Sequence, residues 1–208
     1  MSTTNITRYC TAAVCCCLLL TGCGYHAGKT KDNVYRNRAA GFYLETPEAF
    51  TVIGADDYNS LSFYAAANRQ AEERDAAENF VCEYAAKASD CEVLICSEPN
   101  PGTDTPEAFL NRICNRLRNE ETGFEVRSIE QITCGKTEFK SAHIAAHAES
   151  AHHHHHSQSE ETESEAEDTT QIRVYVTGAK DSFVYLFLTY PAGETGETQK
   201  QMLLDSIH

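Results

Sequence analysis

Three stretches of the chain alternate apolar and polar residues with a period of two. They cover residues 80–98, 124–148 and 171–188, and each is interrupted by a short polar or glycine-containing turn. Alternation that is broken by a turn predicts a β-hairpin, so the sequence predicts three hairpins. Within the last of them, residues 183–188 are apolar at every position, which indicates a strand covered on both faces.

The region before these hairpins has a weaker pattern. Two short β-rich runs, 41–45 and 50–53, lie on either side of Pro47, and this arrangement predicts a further hairpin. Residues 55–79 are rich in alanine, glutamate and arginine, which favours a helix over part of that stretch.

The clearest helix begins at Thr105, which is suited to cap it, and Pro106 fits its first helical position. Five apolar residues then fall on one helical face: Phe109, Leu110, Ile113, Cys114 and Leu117. A stripe of this kind is typical of a helix that faces a core rather than of a partner groove. The helix is expected to end near Asn119. A second, short helix is predicted over residues 199–207, carrying Met202, Leu203 and Ile207.

The start of the chain carries an export signal. Residues 1–22 hold one basic residue, Arg8, and no acidic residue, and their apolar run is too short to span a bilayer. The segment Leu20-Thr21-Gly22-Cys23 resembles a bacterial lipobox. It predicts cleavage before Cys23, lipidation of that thiol, and a location at the cell membrane facing outside the cytoplasm. The alternatives are an ordinary secretory signal that ends in cysteine, or a short membrane anchor.

The predicted organisation is therefore a signal peptide over residues 1–22, a lipidated tether over 23–39 and a single domain over 40–208. The formal charge of the chain is −14, and it becomes −15 without the signal peptide, which carries only Arg8. An acidic surface without a cluster of Lys and Arg argues against nucleic-acid binding. Contact with the membrane is expected through the lipid.

Five cysteines remain in the predicted mature chain besides the one that is lipidated: Cys82, Cys91, Cys96, Cys114 and Cys134. Their spacings lack the C-x-x-C pairs of zinc and redox sites. One interpretation is that they are small buried apolar residues. The other is a disulfide between Cys82 and Cys96, which face each other if the turn of the 80–98 hairpin centres on Ser89. A one-residue change of loop length would remove that pairing.

The segment 149–170 is low in complexity, and it is expected to be a disordered insertion between two strands because it has almost nothing to bury. It contains five consecutive histidines, which are candidate ligands for zinc or a similar ion: His152, His153, His154, His155 and His156. The functional hypothesis is a metal-collecting loop that serves a transporter. The alternative is an unconstrained loop without a role, so the only cofactor expected is a weakly bound divalent metal.

Catalytic signatures are missing from the sequence, which has no G-x-S-x-G elbow, no H-E-x-x-H and no P-loop. A Cys134 nucleophile with His143 as its base is conceivable, because both residues belong to one predicted hairpin. We therefore expect no enzyme. The leading hypothesis is a non-catalytic binding or scaffold lipoprotein that presents a sheet surface to another envelope protein or to a small solute, and metal collection is the alternative.

The order of the elements resembles the PsbP-like fold. It runs from Gly41-Phe42, Pro47 and Phe50-Thr51-Val52 through a hairpin and the helix from Thr105 to a hairpin pair closed by Tyr185-Leu186-Phe187-Leu188 and a helix ending Asp205-Ser206-Ile207. In particular it is similar to lipoproteins of Gram-positive gut bacteria. The resemblance implies an α+β fold with an antiparallel β-sheet flanked by helices in an α/β/α sandwich. It also implies a binding or accessory role, and it supplies no catalytic residues.

Overall fold

The computed structural model of the chain describes residues 25–61, 81–100, 102, 104–117, 124–146 and 170–208. Within this part of the chain, no helix has both the length and the apolar character needed to cross a membrane. Cys23, residues 149–169 of the expected loop with its five histidines, and most of the helix expected over 55–79 lie outside the described residues.

The described residues form ten strands, one 3-10 turn and two α-helices. The strands are β1 Lys29–Lys31, β2 Val34–Asn37, β3 Phe42–Glu45, β4 Thr51–Val52, β5 Val81–Ala88, β6 Cys91–Pro99, β7 Phe124–Cys134, β8 Thr137–Ala146, β9 Thr170–Ala179 and β10 Ser182–Pro191. The 3-10 turn covers Ala55–Ser60, and the helices are α1 Pro106–Leu117 and α2 Glu194–Asp205.

Seven strands make the main sheet, in the order β4-β5-β6-β10-β9-β8-β7. Every neighbouring pair is antiparallel. The three predicted hairpins are confirmed as β5–β6, β7–β8 and β9–β10. Strand β10 lies at the centre, and all of its residues except the last are buried, as the apolar run 183–188 predicted.

The two faces of the main sheet are covered differently. On one face lies α1, whose five predicted stripe residues are all buried in a cluster with the sheet. The cap is also confirmed, since the Ala108 N–H donates to the Thr105 hydroxyl at 3.1 Å. On the other face lie α2 and a small sheet of β1, β2 and β3. The predicted α+β class, an antiparallel sheet flanked by helices, is thus confirmed.

The hairpin predicted around Pro47 is wrong. Strand β3 pairs with β2 in the small sheet, whereas β4 pairs with β5 in the main sheet. Each strand was expected at the right place, but alternation along a strand specifies which face it buries and not which strand it pairs with.

The tether expected over residues 23–39 is also shorter than predicted, because β1 and β2 occupy much of it. Tyr35 and Asn37 in β2 are fully buried. Gly28 lies so close to the Tyr35 ring that a Cβ atom there would come within 2.4 Å of it. Ordered structure therefore starts well before residue 40.

The closing helix begins earlier than predicted, and only one of its two predicted apolar residues faces the core. Leu203 is buried, but Met202 is 41% exposed. Past the helix, Ile207 forms an isolated bridge with Leu44 of β3, and His208 exchanges backbone hydrogen bonds with Tyr43 at 2.9 Å. The end of the chain is thus attached to the small sheet.

Candidate functional site

The first candidate site is a set of hydrogen bonds around the Glu83 carboxylate, which we call the Glu83 clamp. Its carboxylate accepts hydrogen bonds from the Tyr25 hydroxyl, from the Gly28 N–H at 2.6 Å and from the Tyr35 hydroxyl at 2.6 Å. The Asn37 amide lies 3.2 Å from the same carboxylate and 2.7 Å from the Tyr25 oxygen. The clamp therefore joins the first described residues to the main sheet.

A β-bulge in β5 builds the clamp. Tyr84 pairs with Ile95 and Cys82 pairs with Cys96, so Glu83 is an extra residue without a partner in β6. In a regular strand, Glu83 would share a face with Ala85, two residues further on, and Ala85 packs on the α1 face. The bulge instead places Glu83 beside Tyr84, on the face that carries Tyr25.

Burial and the nearby Glu83 carboxylate raise the pKa of both Tyr25 and Tyr35. The two phenols therefore stay protonated throughout the physiological range and remain donors to the carboxylate. A carboxylate that accepts several hydrogen bonds is satisfied without a cationic partner. The clamp is a structural joint whose donors all come from the N-terminal segment.

The second candidate site lies on the same face of the sheet, where polar side chains replace apolar ones over part of β7–β10 and under α2. We call it the polar cluster, and it consists of Glu130, Ser141, His143, Gln171, Arg173 and Tyr190. The Arg173 guanidinium donates to the Glu130 carboxylate at 2.7 Å, and only 16% of the Arg173 side chain is exposed. Lys200 of α2 lies 5.7 Å from the centre of the Tyr190 ring.

Within the part of the chain that the structure describes, two buried atoms of the polar cluster have no hydrogen-bond partner: the Ser141 hydroxyl and the Arg173 Nε. Buried polar atoms in folded proteins nearly always have partners. Burial raises the pKa of Tyr190, and Arg173 and Glu197 lie next to it. At this cluster, polar side chains occupy positions of the sheet face where apolar side chains would stabilise the fold more.

His143 was the sequence candidate for a catalytic base. Its Nε2 lies 2.7 Å from the Gln171 side-chain oxygen, and burial followed by the nearby Arg173 and Arg127 charges lowers its pKa. An amide oxygen does not stabilise the imidazolium as a carboxylate would. The Gln171 hydrogen bond opposes this shift, but the net direction favours a neutral imidazole.

The hypothesis of a Cys134–His143 catalytic pair is wrong. Cys134 pairs with Thr137 next to the β7–β8 turn, whereas His143 pairs with Ser128 further along the same two strands. Six residues of strand separate Thr137 from His143, which corresponds to about 20 Å. The Cys134 thiol cannot reach this imidazole.

The clamp and the polar cluster lie toward opposite ends of the strands. Along the central strand β10, Tyr185 is level with Cys96, next to the clamp, and Tyr190 is level with Gln171 in the cluster. Five residues of strand correspond to about 17 Å. The strands that flank the 149–170 loop end beside the cluster, because Gln171 pairs with Ala145.

The predicted facing of Cys82 and Cys96 is observed, but the turn does not produce it. Ala88 pairs with Cys91, so the turn consists of Ser89 and Asp90 and is not centred on Ser89. With this turn and no bulge, Cys82 would face Ser97; the extra residue Glu83 shifts the register by one and brings Cys82 opposite Cys96. Cys96 is fully buried and Cys82 is half-buried, both pack in the cluster below α1, and both are free thiols in the structure, without the disulfide that was one of the two interpretations.

Of these two sites, only His143 was singled out from the sequence, and for a different role. Glu83 occupied an ordinary outward position of an alternating strand, and no local signal marks a bulge there. Arg173 and Gln171 were counted as the polar partners of Ile172 and Val174.

Among the residues that the structure describes, no group of three His, Cys, Asp or Glu side chains is arranged to hold a metal ion.

Several solved structures align with the chain. Cyanobacterial PsbP (CyanoP) from Synechocystis aligns over 90% of this chain and 95% of its own, at 10% identity and a TM-score of 0.46. LpqN, involved in cell envelope biogenesis of Mycobacterium tuberculosis, aligns over 80% of this chain and 81% of its own, at 11% identity and a TM-score of 0.42.

A protein from Bacteroides thetaiotaomicron aligns over 86% of this chain but 48% of its own length, at 8% identity and a TM-score of 0.41. The chain thus spans about half of that protein. No protein-family model matches the chain, and no curated protein matches its sequence. These alignments do not assign the chain to a family.

Proposed function

We propose that this protein is a lipid-anchored, non-catalytic binding or scaffold protein on the outer face of the cell membrane, where it contacts another envelope protein at the half-exposed edge of the polar cluster, at Glu130. The acyl group on Cys23 attaches it to the membrane. The observation that carries the proposal is the position of the Glu83 clamp, which binds Tyr25 only two residues after Cys23.

Two residues of extended chain reach about 7 Å, so the domain stands next to its anchor instead of at the end of a long tether. The clamp end of the sheet then faces the bilayer. The polar cluster, about 17 Å further along the strands, faces away from it.

Binding is favoured over catalysis by the contacts of the polar cluster. Its arginine is held by Glu130 and its histidine by Gln171, at 2.7 Å in both cases. Arginine is also among the side chains most enriched at the centres of protein interfaces, and Arg173 is paired with Glu130, whose side chain is half exposed. Exposed groups beside them, such as Ser128, would contact a partner at the rim.

The anchor is tested by mass spectrometry of the full chain extracted from bacterial membranes, with the Cys23→Ser variant as control. We expect a mass that begins at Cys23 and includes a diacylglyceryl group, and we expect the variant to lose it. An unmodified Cys23 in the wild type, or a leader that is still attached, would contradict the proposal.

The surface is tested by in-cell photo-crosslinking with the probe placed at Ser128, which is exposed beside the cluster, or at Asn115, which is exposed on α1. We expect one discrete crosslinked protein from position 128, its loss in an Arg173→Gln background, and none from position 115. Equal crosslinking at both positions, or none at position 128, would refute a docking role for the cluster.

The alternative function is metal collection by the loop 149–170, whose flanking strands end beside the polar cluster. Calorimetry with zinc on the full chain, compared with a variant that lacks residues 149–170, separates the two. Tight binding that depends on the loop would favour metal collection. Weak or loop-independent binding favours the scaffold role.

A further inference from the structure

We propose that Cys82 and Cys96 form a disulfide in the exported protein, and that this disulfide fixes the β-bulge that presents Glu83 to the N-terminal segment. The proposal rests on the export that the proposed function includes, because thiols oxidise stably only outside the cytosol.

The geometry of the strand pair carries the first part. The two residues are directly opposite in neighbouring antiparallel strands, where Cα atoms lie about 4.5–5.5 Å apart. A disulfide accepts about 4.4–6.8 Å. Both side chains lie on the α1 face of the sheet, in the same buried cluster. Both thiols are free in the structure, and their pairing in neighbouring strands brings them within the range that a disulfide can span.

The other cysteines provide an internal comparison. Cys91 lies at the start of β6 opposite Ala88, and Cys134 lies at the end of β7 opposite Thr137. Cys114 belongs to α1. All three are buried, and none has another cysteine as its strand partner. Cys82, which is only half-buried, is the thiol that an external reagent reaches first.

The bond forms by two exchange steps with an external disulfide, such as that of a thiol oxidoreductase or glutathione disulfide. The Cys82 sulfur attacks one sulfur of the external disulfide, which forms a mixed disulfide and releases one thiol. The Cys96 sulfur then attacks the Cys82 sulfur and releases the second thiol. The two protons of the cysteines end on these two thiols, and the external disulfide takes up both electrons.

The link to the clamp follows from the bulge. Cys82 is the residue immediately before Glu83, and its thiol also approaches the Tyr84 carbonyl across the bulge, with 3.6 Å between sulfur and oxygen. A bond from Cys82 to Cys96 fixes the register on one side of the extra residue. The turn Ser89-Asp90 fixes the register on the other side. Glu83 is then held on the face that carries Tyr25, and loss of the disulfide allows the bulge to slip.

The pairing is tested on the full chain extracted from the cell envelope, denatured without reductant and alkylated. We expect three of the five mature thiols to react before reduction and all five afterwards, with one peptide pair joining Cys82 to Cys96. Five reactive thiols, or a bond between other cysteines, would overturn the pairing.

The same intact mass reports the acyl group on Cys23 and so separates the two proposals. A lipidated chain with five reactive thiols would overturn the disulfide alone. If the chain is not lipidated, oxidation of the purified full chain with glutathione disulfide decides the pairing. Closure to Cys82–Cys96 supports it, and glutathione adducts without closure overturn it.

The effect on the clamp is measured by trypsin cleavage at Lys29 and Lys31, two exposed residues of β1. We expect cleavage there to accelerate on the order of tenfold in Cys96→Ala, since cleavage follows local opening. Cys91→Ala removes another fully buried thiol from the same strand and is expected to leave the rate unchanged. Adding reductant to the wild type should reproduce the Cys96→Ala result without any substitution. Equal rates in the two variants would overturn the link to the clamp.

Discussion

The two faces of the main sheet are covered by different means. One face is covered by α1, a continuous helix whose apolar stripe packs against the sheet. The other is covered by the small sheet, the first described residues, α2 and the end of the chain, which come from sequence positions more than 150 residues apart. The helix on the first face can be predicted from the local sequence pattern, whereas the cover of the second face depends on pairing between distant segments. Both candidate sites lie on the second face.

The largest expected effect is on the α1 face. Leu110 is fully buried in the α1 stripe, so Leu110→Ala should lower the free energy of unfolding by about 2–5 kcal/mol. Urea denaturation measures this, and Met202→Ala on α2, where the side chain is 41% exposed, should change it by less than about 0.5 kcal/mol. Similar losses in the two variants would contradict the burial of Leu110 against the sheet.

An intermediate effect is expected at the clamp on the second face. Glu83→Gln keeps the size of the side chain but replaces one acceptor oxygen with a donor, so one of Tyr25 and Tyr35 loses its partner. Leaving a partly buried donor unpaired lowers the free energy of unfolding by about 1–3 kcal/mol. Glu138→Gln, at an exposed position of β8, is the matched control in the same urea titration. Equal stability of the two variants would mean that the clamp does not hold the N-terminal segment.

The smallest effect concerns pH. Burial and the nearby Arg173 and Arg127 charges lower the pKa of His143, so the unfolded chain binds a proton more readily than the folded one. Stability should therefore fall as the pH drops below the unfolded histidine value of about 6.5 and should stop falling below the folded pKa. Nearby Glu197 opposes this shift, and Gln171 opposes it through its hydrogen bond.

Thermal denaturation at pH 7 and at pH 5.5 tests the histidine. The His143→Gln variant should lose part of the pH dependence of the wild type, and His26→Gln, at an exposed position, should keep it. A His143→Gln variant with the full wild-type dependence would show that other groups carry it.

The register of the β5–β6 hairpin shows where inference from the sequence fails. Alternation and turn residues predicted the two strands and even the facing of Cys82 and Cys96. The actual turn has two residues, and the bulge at Glu83 compensates for it. A bulge is an insertion relative to a partner strand, and it is therefore defined only once both strands are in place.

The sequence by itself determined the three hairpins, the α1 stripe with its Thr105 cap, and the burial of β10, because each depends on residues within a few positions of one another. Tertiary structure alone decided the partners of β3 and β4, the burial of Tyr35 and the assembly of both candidate sites. Those depend on which distant segments meet, and the periodicity of a single strand carries no information about its neighbour.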